Sequence, residues 1–299
     1  MVTEAINAFQ LTRRKMLSLM ALASFPKAAS AQAYARIAAI DWAMLETVMA
    51  LGVTPIAATE LIQFRSDAVE PAIPASVADL GLRGSPNFEY LFLLKPDLIL
   101  ISPFYARQRA RLEGIAPVVS MPFYERGEPP YEKALLAVSA LGKLLSREAE
   151  AERVLDRQAR TLADLRARLV VASQTPVYVI NIGDARHFRA FGSDSMFGDI
   201  LVRLGLTNAW ADQSKFTFAA PVPLETLASR PDARIVVVSE VPVQARTTLR
   251  NSMIWRSLEP VRKGRLHFLD NVNPYGGICA GMRFARLLAE ALAPGPSAP

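Results

Sequence analysis

The chain has 299 residues, 51% of them apolar, and a formal charge of +6. That length allows two domains of ordinary size with sizeable cores. Within residues 1–31, Arg13, Arg14, Lys15 and Lys27 stand against Glu4, so this segment carries +3 and leaves only +3 for the remainder. No basic run in the body is long enough to track a phosphate backbone, which argues against nucleic-acid binding. A single cysteine, Cys279, permits no internal disulfide.

The N-terminus follows the plan of a secretory signal. Arg13-Arg14-Lys15 precedes the modest apolar run Ser18 to Phe25, and small residues follow. Adjacent arginines before a weakly apolar stretch resemble a twin-arginine signal. Both Ala29-Ser30-Ala31 and Ala31-Gln32-Ala33 fit cleavage; an amphipathic N-terminal helix is the other reading. The run is far short of the ~20 residues a membrane span needs, and no later segment is long and apolar enough to cross. No cysteine follows that could carry a lipid. The expectation is an exported, periplasmic protein with a signal over residues 1–31.

The body then alternates strand and helix. Arg36 to Ile40 reads as a buried strand, and the helical pattern of Met44 to Leu51 stops at Gly52. Pro55 to Ala58 is a second strand. Phe64 to Val77, rich in proline and polar residues, reads as loop. Asn87 to Leu94 is helical, and Leu98 to Ile101 is apolar on both faces, as in a covered parallel strand. Val118-Val119 belongs to another strand, and Tyr131 to Leu145 is helical.

From Ser146 to about Val171 the chain is dense in Glu, Arg, Ala and Leu, without Gly or Pro. Leu155, Leu162, Leu165 and Leu169 form one stripe. Such a helix spans about 40 Å, and its central position suits a spacer between two lobes. A second α/β unit follows: strands at Pro176 to Ile182, Ile235 to Val238 and Leu266 to Phe268, and helices from Ser195 to Leu204 and Gly281 to Leu292. The predicted organisation is a lobe over residues 32–143, a backbone helix over 144–171 and a lobe over 172–299. The Pro-containing tail is expected to fray.

One pattern occurs in each half. Glu89 opens a short helix that ends in Pro96-Asp97 before the strand from Leu98. Glu225, Pro231-Asp232 and the strand from Ile235 repeat it. An acidic residue suits a helix N-terminus and proline stops the helix. Two independent caps account for this equally well at the level of sequence. Taken as a pair, they suggest two similar lobes, each displaying a carboxylate to a partner carrying arginines.

Catalytic signatures are missing. The two histidines, His187 and His267, have no ligand spacing to another His, Cys or paired carboxylate. No nucleophile elbow, Walker loop or dinucleotide fingerprint occurs. His187 could line a cleft; His267 and Cys279 read as core or half-buried. The inventory points away from an enzyme.

The segments Ala39-Ile40-Asp41-Trp42, Ala50-Leu51-Gly52-Val53 and Val77 to Arg83, the two Glu…Pro-Asp units, and Arg186-His187 bear a family resemblance. So do Phe191-Gly192-Ser193, Asn208-Ala209-Trp210 and Tyr275-Gly276. In order and spacing, along nearly the whole mature chain, they resemble the ferric-hydroxamate siderophore-binding proteins of ABC importers. The resemblance implies a two-lobed α/β periplasmic binding protein of the helical-backbone, class III type, monomeric and without cofactor. The iron would arrive already chelated. It implies that Arg83 and Tyr105 donate hydrogen bonds to hydroxamate oxygens, and that Glu89 and Glu225 engage arginines of the permease. On the residues alone, Arg83 also fits a surface ion pair, and Tyr105 a half-buried rim position.

The chain departs from that pattern in its aromatics. Positions that are tryptophan in the family correspond to Ile101, Thr217 and Asn273. Trp42, Trp210 and Tyr275 remain, and Phe216 and Phe218 offer apolar area instead. Arg189 and Lys215 fall near the same cleft. The expected pocket, lined also by Asn273, is less aromatic and more cationic, suited to an anionic ferric hydroxamate such as a citrate-containing one. A cobalamin or haem binder of the same fold is the alternative, and an exported enzyme a more distant one.

Overall fold

The computed structural model describes residues 34–210 and 220–292. The expected signal, Lys215 to Phe218 and the C-terminal tail lie outside the described residues.

The first sheet comprises β1 (Ile37–Ala39), β2 (Ala57–Ala58), β3 (Ala78–Asp79), β4 (Leu98–Ile101) and β5 (Val118–Ser120). Their order is β3-β2-β1-β4-β5 and every pairing is parallel. The second comprises β6 (Val177–Asn181), β7 (His187–Ala190), β8 (Val222–Pro223), β9 (Arg234–Val238) and β10 (Leu266–Leu269), in the order β10-β9-β6-β7-β8. Here β10, β9 and β6 are parallel, while β7 runs antiparallel to β6 and β8. β4 stands beside the first strand of its sheet as β9 stands beside the first of its own. The two Glu…Pro-Asp units therefore precede strands in equivalent places. They differ locally: Glu89 opens α-helix Phe88–Leu94, capped by Asn87, whereas Glu225 lies in the 3-10 helix Leu224–Ser229.

Most helices form where periodicity predicts them. α1 (Trp42–Ala50) is capped by Asp41, whose carboxylate accepts from the Met44 amide, and ends before Gly52 at φ 74°. Gly52 takes that left-handed conformation without a Cβ penalty. α2 (Leu61–Asp67) overturns the loop expected from Phe64. It is anchored by Leu61 and Phe64 alone, and its exposed Gln63, Arg65 and Ser66 hide the helical stripe.

α3 (Tyr131–Leu144) and α4 (Glu148–Arg168) are separated by Ser146 at φ 54°. α4 has 21 residues, about 31 Å of helix, a turn or two shorter than expected. It begins after the left-handed break, and beyond Leu169 the chain tightens into a 3-10 turn. Gly142 lets the two helices touch, since a Cβ there would lie 2.6 Å from the Ala151 Cβ.

α5 (Met196–Arg203), α6 (Val243–Asn251) and α7 (Ile278–Leu292) complete the main helices. One hydrophobic cluster joins Ile37, Leu98 and Leu100 of the first sheet to Val177, Val236 and Val238 of the second, with Phe197 and Phe284 stacked between helices. Among the described residues no helix is long and apolar enough to cross a membrane.

Candidate functional site

The carboxyl ends of β1, β2, β3 and β4 converge, the usual place for a ligand site in an open α/β sheet. Asp41 follows β1 and is half-buried; its Oδ2 accepts from Ser102 Oγ at 2.8 Å, joining β1 to β4. Burial pushes the Asp41 carboxyl above the usual carboxylate range, against those hydrogen bonds and Arg83. Trp42 is 4% exposed, donates through Nε1 to the Thr59 carbonyl at 2.9 Å, and meets Phe64 edge to face.

Arg83 lies over this indole, Cζ 3.9 Å from the ring centroid. Its Nε donates to Glu60 Oε2 at 2.5 Å and its amide to Glu60 Oε1 at 3.1 Å. Glu60 holds a left-handed backbone at φ 51°, with its amide bonded to the Gly81 carbonyl. Such strain in a non-glycine residue persists only where surrounding bonds over-determine it. Nothing in the sequence marks Glu60, because an acid after a short strand is unremarkable until its φ is known.

Tyr105 is 5% exposed, and burial, aided by Asp41, pushes its phenol far up. It therefore stays protonated. Arginine has only donors, and the protonated phenol adds an O–H donor. Arg83 is thus the ion pair anticipated from the residues alone, and it is also oriented beside a second donor.

The facing wall comes from the second sheet. Arg189, exposed on β7, and Tyr275, 41% exposed, line a cavity of about 320 Å³ with Asp67, Asn181 and Phe191. Burial raises the Tyr275 phenol against the pull of both Arg189 and Arg83. Tyr124 meets Tyr275 edge to face at 5.9 Å and donates to the Gly276 carbonyl at 2.5 Å.

One expected lining residue is placed elsewhere. Asn273 is 1% exposed: its Nδ2 donates to Glu46 Oε1 at 2.8 Å and its Oδ1 accepts from the Tyr275 amide at 3.0 Å. Both polar ends are spent, so Asn273 shapes the Tyr275 loop from behind. Ile101 is fully buried inside the first sheet. Trp42 likewise supports Arg83 from below. Trp210 packs against Phe188, and its buried Nε1 has no partner among the described residues.

Glu46 was not singled out by sequence, because its partners lie more than two hundred positions away. Its carboxylate, fully buried on α1, also accepts from the amides of Gly277 at 2.8 Å and Ala280 at 3.1 Å. Desolvation outweighs these donors and pushes the carboxyl up to about 8. A Cβ on Gly276 would lie 2.4 Å from Glu46 Oε1, so only glycine fits there.

Glu89 and Glu225 are both exposed and without ion-pair partners among the described residues. His187 Nδ1 lies 3.2 Å from Asp184, and His267 is half-buried. Among the described residues no three His, Cys, Asp or Glu side chains cluster as metal ligands.

A model of the periplasmic binding protein family matches residues 37–272. The chain is 30% identical to the iron(3+)-hydroxamate-binding protein FhuD of Escherichia coli over 94% of this chain and 97% of that protein. It is 25% identical to the Fe(3+)-citrate-binding protein YfmC of Bacillus subtilis, over 79% and 73%. The crystal structure of the siderophore-binding protein FhuD from Vibrio cholerae, bound to Fe3+-Desferal, superposes with a TM-score of 0.82 at 27% identity. That match covers 88% of this chain and all of the other. These relatives are binding proteins.

Proposed function

Because the chain belongs to the periplasmic binding protein family, we propose that it captures a ferric hydroxamate-type siderophore and delivers it to an ABC permease for iron uptake. It acts outside the cytoplasm, as a monomer and without catalysing a reaction. The observation that carries this reading is Arg83 at the carboxyl end of the first sheet, stacked on Trp42 and paired with Glu60.

A ferric siderophore reaches the protein with its metal already surrounded by ligand oxygens. The protein need only recognise an oxygen-rich shell and its organic frame. Arg83 offers a rigid fork of donors, and the Tyr105 O–H adds one more on an apolar ring. Glu60 and Trp42 fix the guanidinium before the ligand arrives, which lowers the ordering cost of binding. From the other wall, Arg189 adds charge and Tyr275 an aromatic face. Glu60 offsets much of the Arg83 charge, so Arg189 supplies most of the preference for an anionic chelate, such as a citrate-containing hydroxamate. Glu89 and Glu225, one on each lobe, engage permease arginines.

The test is a fluorescence titration reported by the three tryptophans. The panel holds neutral and citrate-type ferric hydroxamates, a ferric catecholate, cobalamin and haem. Saturable quenching by a ferric hydroxamate, weakened by Arg83→Ala, is expected. Binding of cobalamin or haem alone moves the substrate class while leaving the family role intact.

A further inference from the structure

One cavity is larger than the one that Arg189 and Tyr275 line. It has a volume of about 870 Å³ and lies where β6, β9 and β10 end, within the range of small-molecule sites. It adjoins the smaller cavity. Ser239, Glu240 and Asn271 line both spaces, and the Glu240 amide donates to Asn271 Oδ1 at 2.9 Å. The two cavities thus share one pinned turn.

The bed of the larger cavity is apolar. Ile182, Val241, Leu249 and Trp255 are each less than 8% exposed and contribute to its lining. Phe268 forms a wall and is 61% exposed. A ring this open at the end of a strand loses apolar hydration when a ligand covers it.

The charges at the rim are sorted by their partners. Arg283 is committed to Glu70 at 3.0 Å. Arg246 pairs with Glu240 at 3.1 Å through Nη2 alone. Arg250, one turn further along α6, is exposed and has no partner among the described residues. The remaining acid is Asp270, also exposed. An apolar bed with two arginines on one helical face attracts a ligand with an apolar body and an anionic end. Asp270 disfavours a second negative charge.

We propose that this cavity is a second binding site, distinct from the cleft at Arg83, that takes an amphipathic monoanion. Its ligand class is an aryl or medium-chain acyl group ending in a carboxylate or sulfonate. The ring or chain covers Trp255 and Phe268, and the anion is held by Arg250 with help from Arg246. This does not depend on which ligand occupies the Arg83 cleft.

The probe is anilinonaphthalene sulfonate, titrated into the folded protein at neutral pH. Saturable fluorescence enhancement is expected. Arg250→Ala and Phe268→Ala, both at exposed positions, should each weaken it about five-fold, a little under 1 kcal/mol, with unchanged melting temperatures. Arg83→Ala should leave it unaltered. Octanoate should displace the probe and octanol should not. No saturable binding, binding indifferent to both variants, or equal displacement by octanol would each overturn the proposal.

Discussion

Arg83 lies flat on Trp42, with its Cζ 3.9 Å from the indole centroid, while its Nε reaches the Glu60 carboxylate at 2.5 Å. The guanidinium is thus held on one face by a ring and along one edge by an acid. A partly exposed cation–π contact contributes about 0.5–1 kcal/mol. Trp42→Phe keeps a ring but gives up the hydrogen bond to Thr59, and should weaken ferric hydroxamate binding by about two- to five-fold. Calorimetric titration of the variant checks this; affinity equal to wild type would mean that the stack does not orient Arg83.

Glu60 and Arg189 should move ligand preference in opposite directions. Glu60→Gln retains the shape of the side chain and removes the charge that offsets Arg83. It should raise affinity for anionic ferric chelates relative to neutral ones. Arg189→Ala should lower that ratio, leaving neutral ligands nearly unchanged. Paired titrations with one neutral and one citrate-type ferric hydroxamate read both effects, and a ratio insensitive to either substitution contradicts the electrostatic account.

Docking should separate from capture. Glu89→Ala combined with Glu225→Ala removes two exposed carboxylates that hold no internal partner among the described residues. Ligand affinity and melting temperature should be unchanged, whereas iron uptake through the cognate permease should be lost. Normal uptake by the double variant would remove these residues from the docking surface.

Glu46 ties stability to pH. Its carboxyl is raised from 4.5 to about 8 by burial, so the native state keeps a proton that the unfolded chain releases. The native state then binds more protons across that window, and stability falls as pH rises from about 4.5 to about 8. Asp41 adds a contribution of the same sign. Glu46→Gln removes only the Glu46 share, so its melting temperature should decline less steeply with pH than that of the wild type. Parallel curves would show that the Glu46 carboxyl does not titrate in this range.

Cys279 should be inert in the native protein. Its thiol donates to the Glu46 carbonyl at 3.6 Å, and burial together with Glu46 pushes it far above its ordinary value. Iodoacetamide at neutral pH should modify it only on unfolding, as mass spectrometry with and without denaturant would report.

The strands of the two sheets were legible wherever they were apolar on both faces, as in Leu98–Ile101 and Arg234–Val238. The two Glu…Pro-Asp units were legible as an echo, and the sheet order gives that echo its meaning. The antiparallel turn of β7 was not, because a short strand carrying His187 and Arg189 shows little of its pairing direction in its residues. Helix Leu61–Asp67 was hidden because two anchors carry its buried side.

In the site, Arg83, Tyr105, Arg189 and Tyr275 could be named from sequence. The residues that hold them could not. Glu60 acts through its backbone conformation, and Glu46 looks like any helical surface acid until Asn273, Gly277 and Ala280 are brought to it. Asn273 was misplaced for a related reason: the resemblance gives a position in the chain, and packing decides which way the side chain turns.

The hydrophobic cluster that runs from Ile37 and Leu98 to Val177 and Val236 bears on how the molecule comes apart. Two sheets sharing one interior should melt in a single cooperative transition. A ligand gripping Arg83 on one side and Arg189 on the other then raises one melting temperature, with its binding free energy spread over the whole fold. Lobe separation by partial unfolding is closed to such a protein. Ligand binding and release should then both proceed with the two sheets folded and their common interior intact.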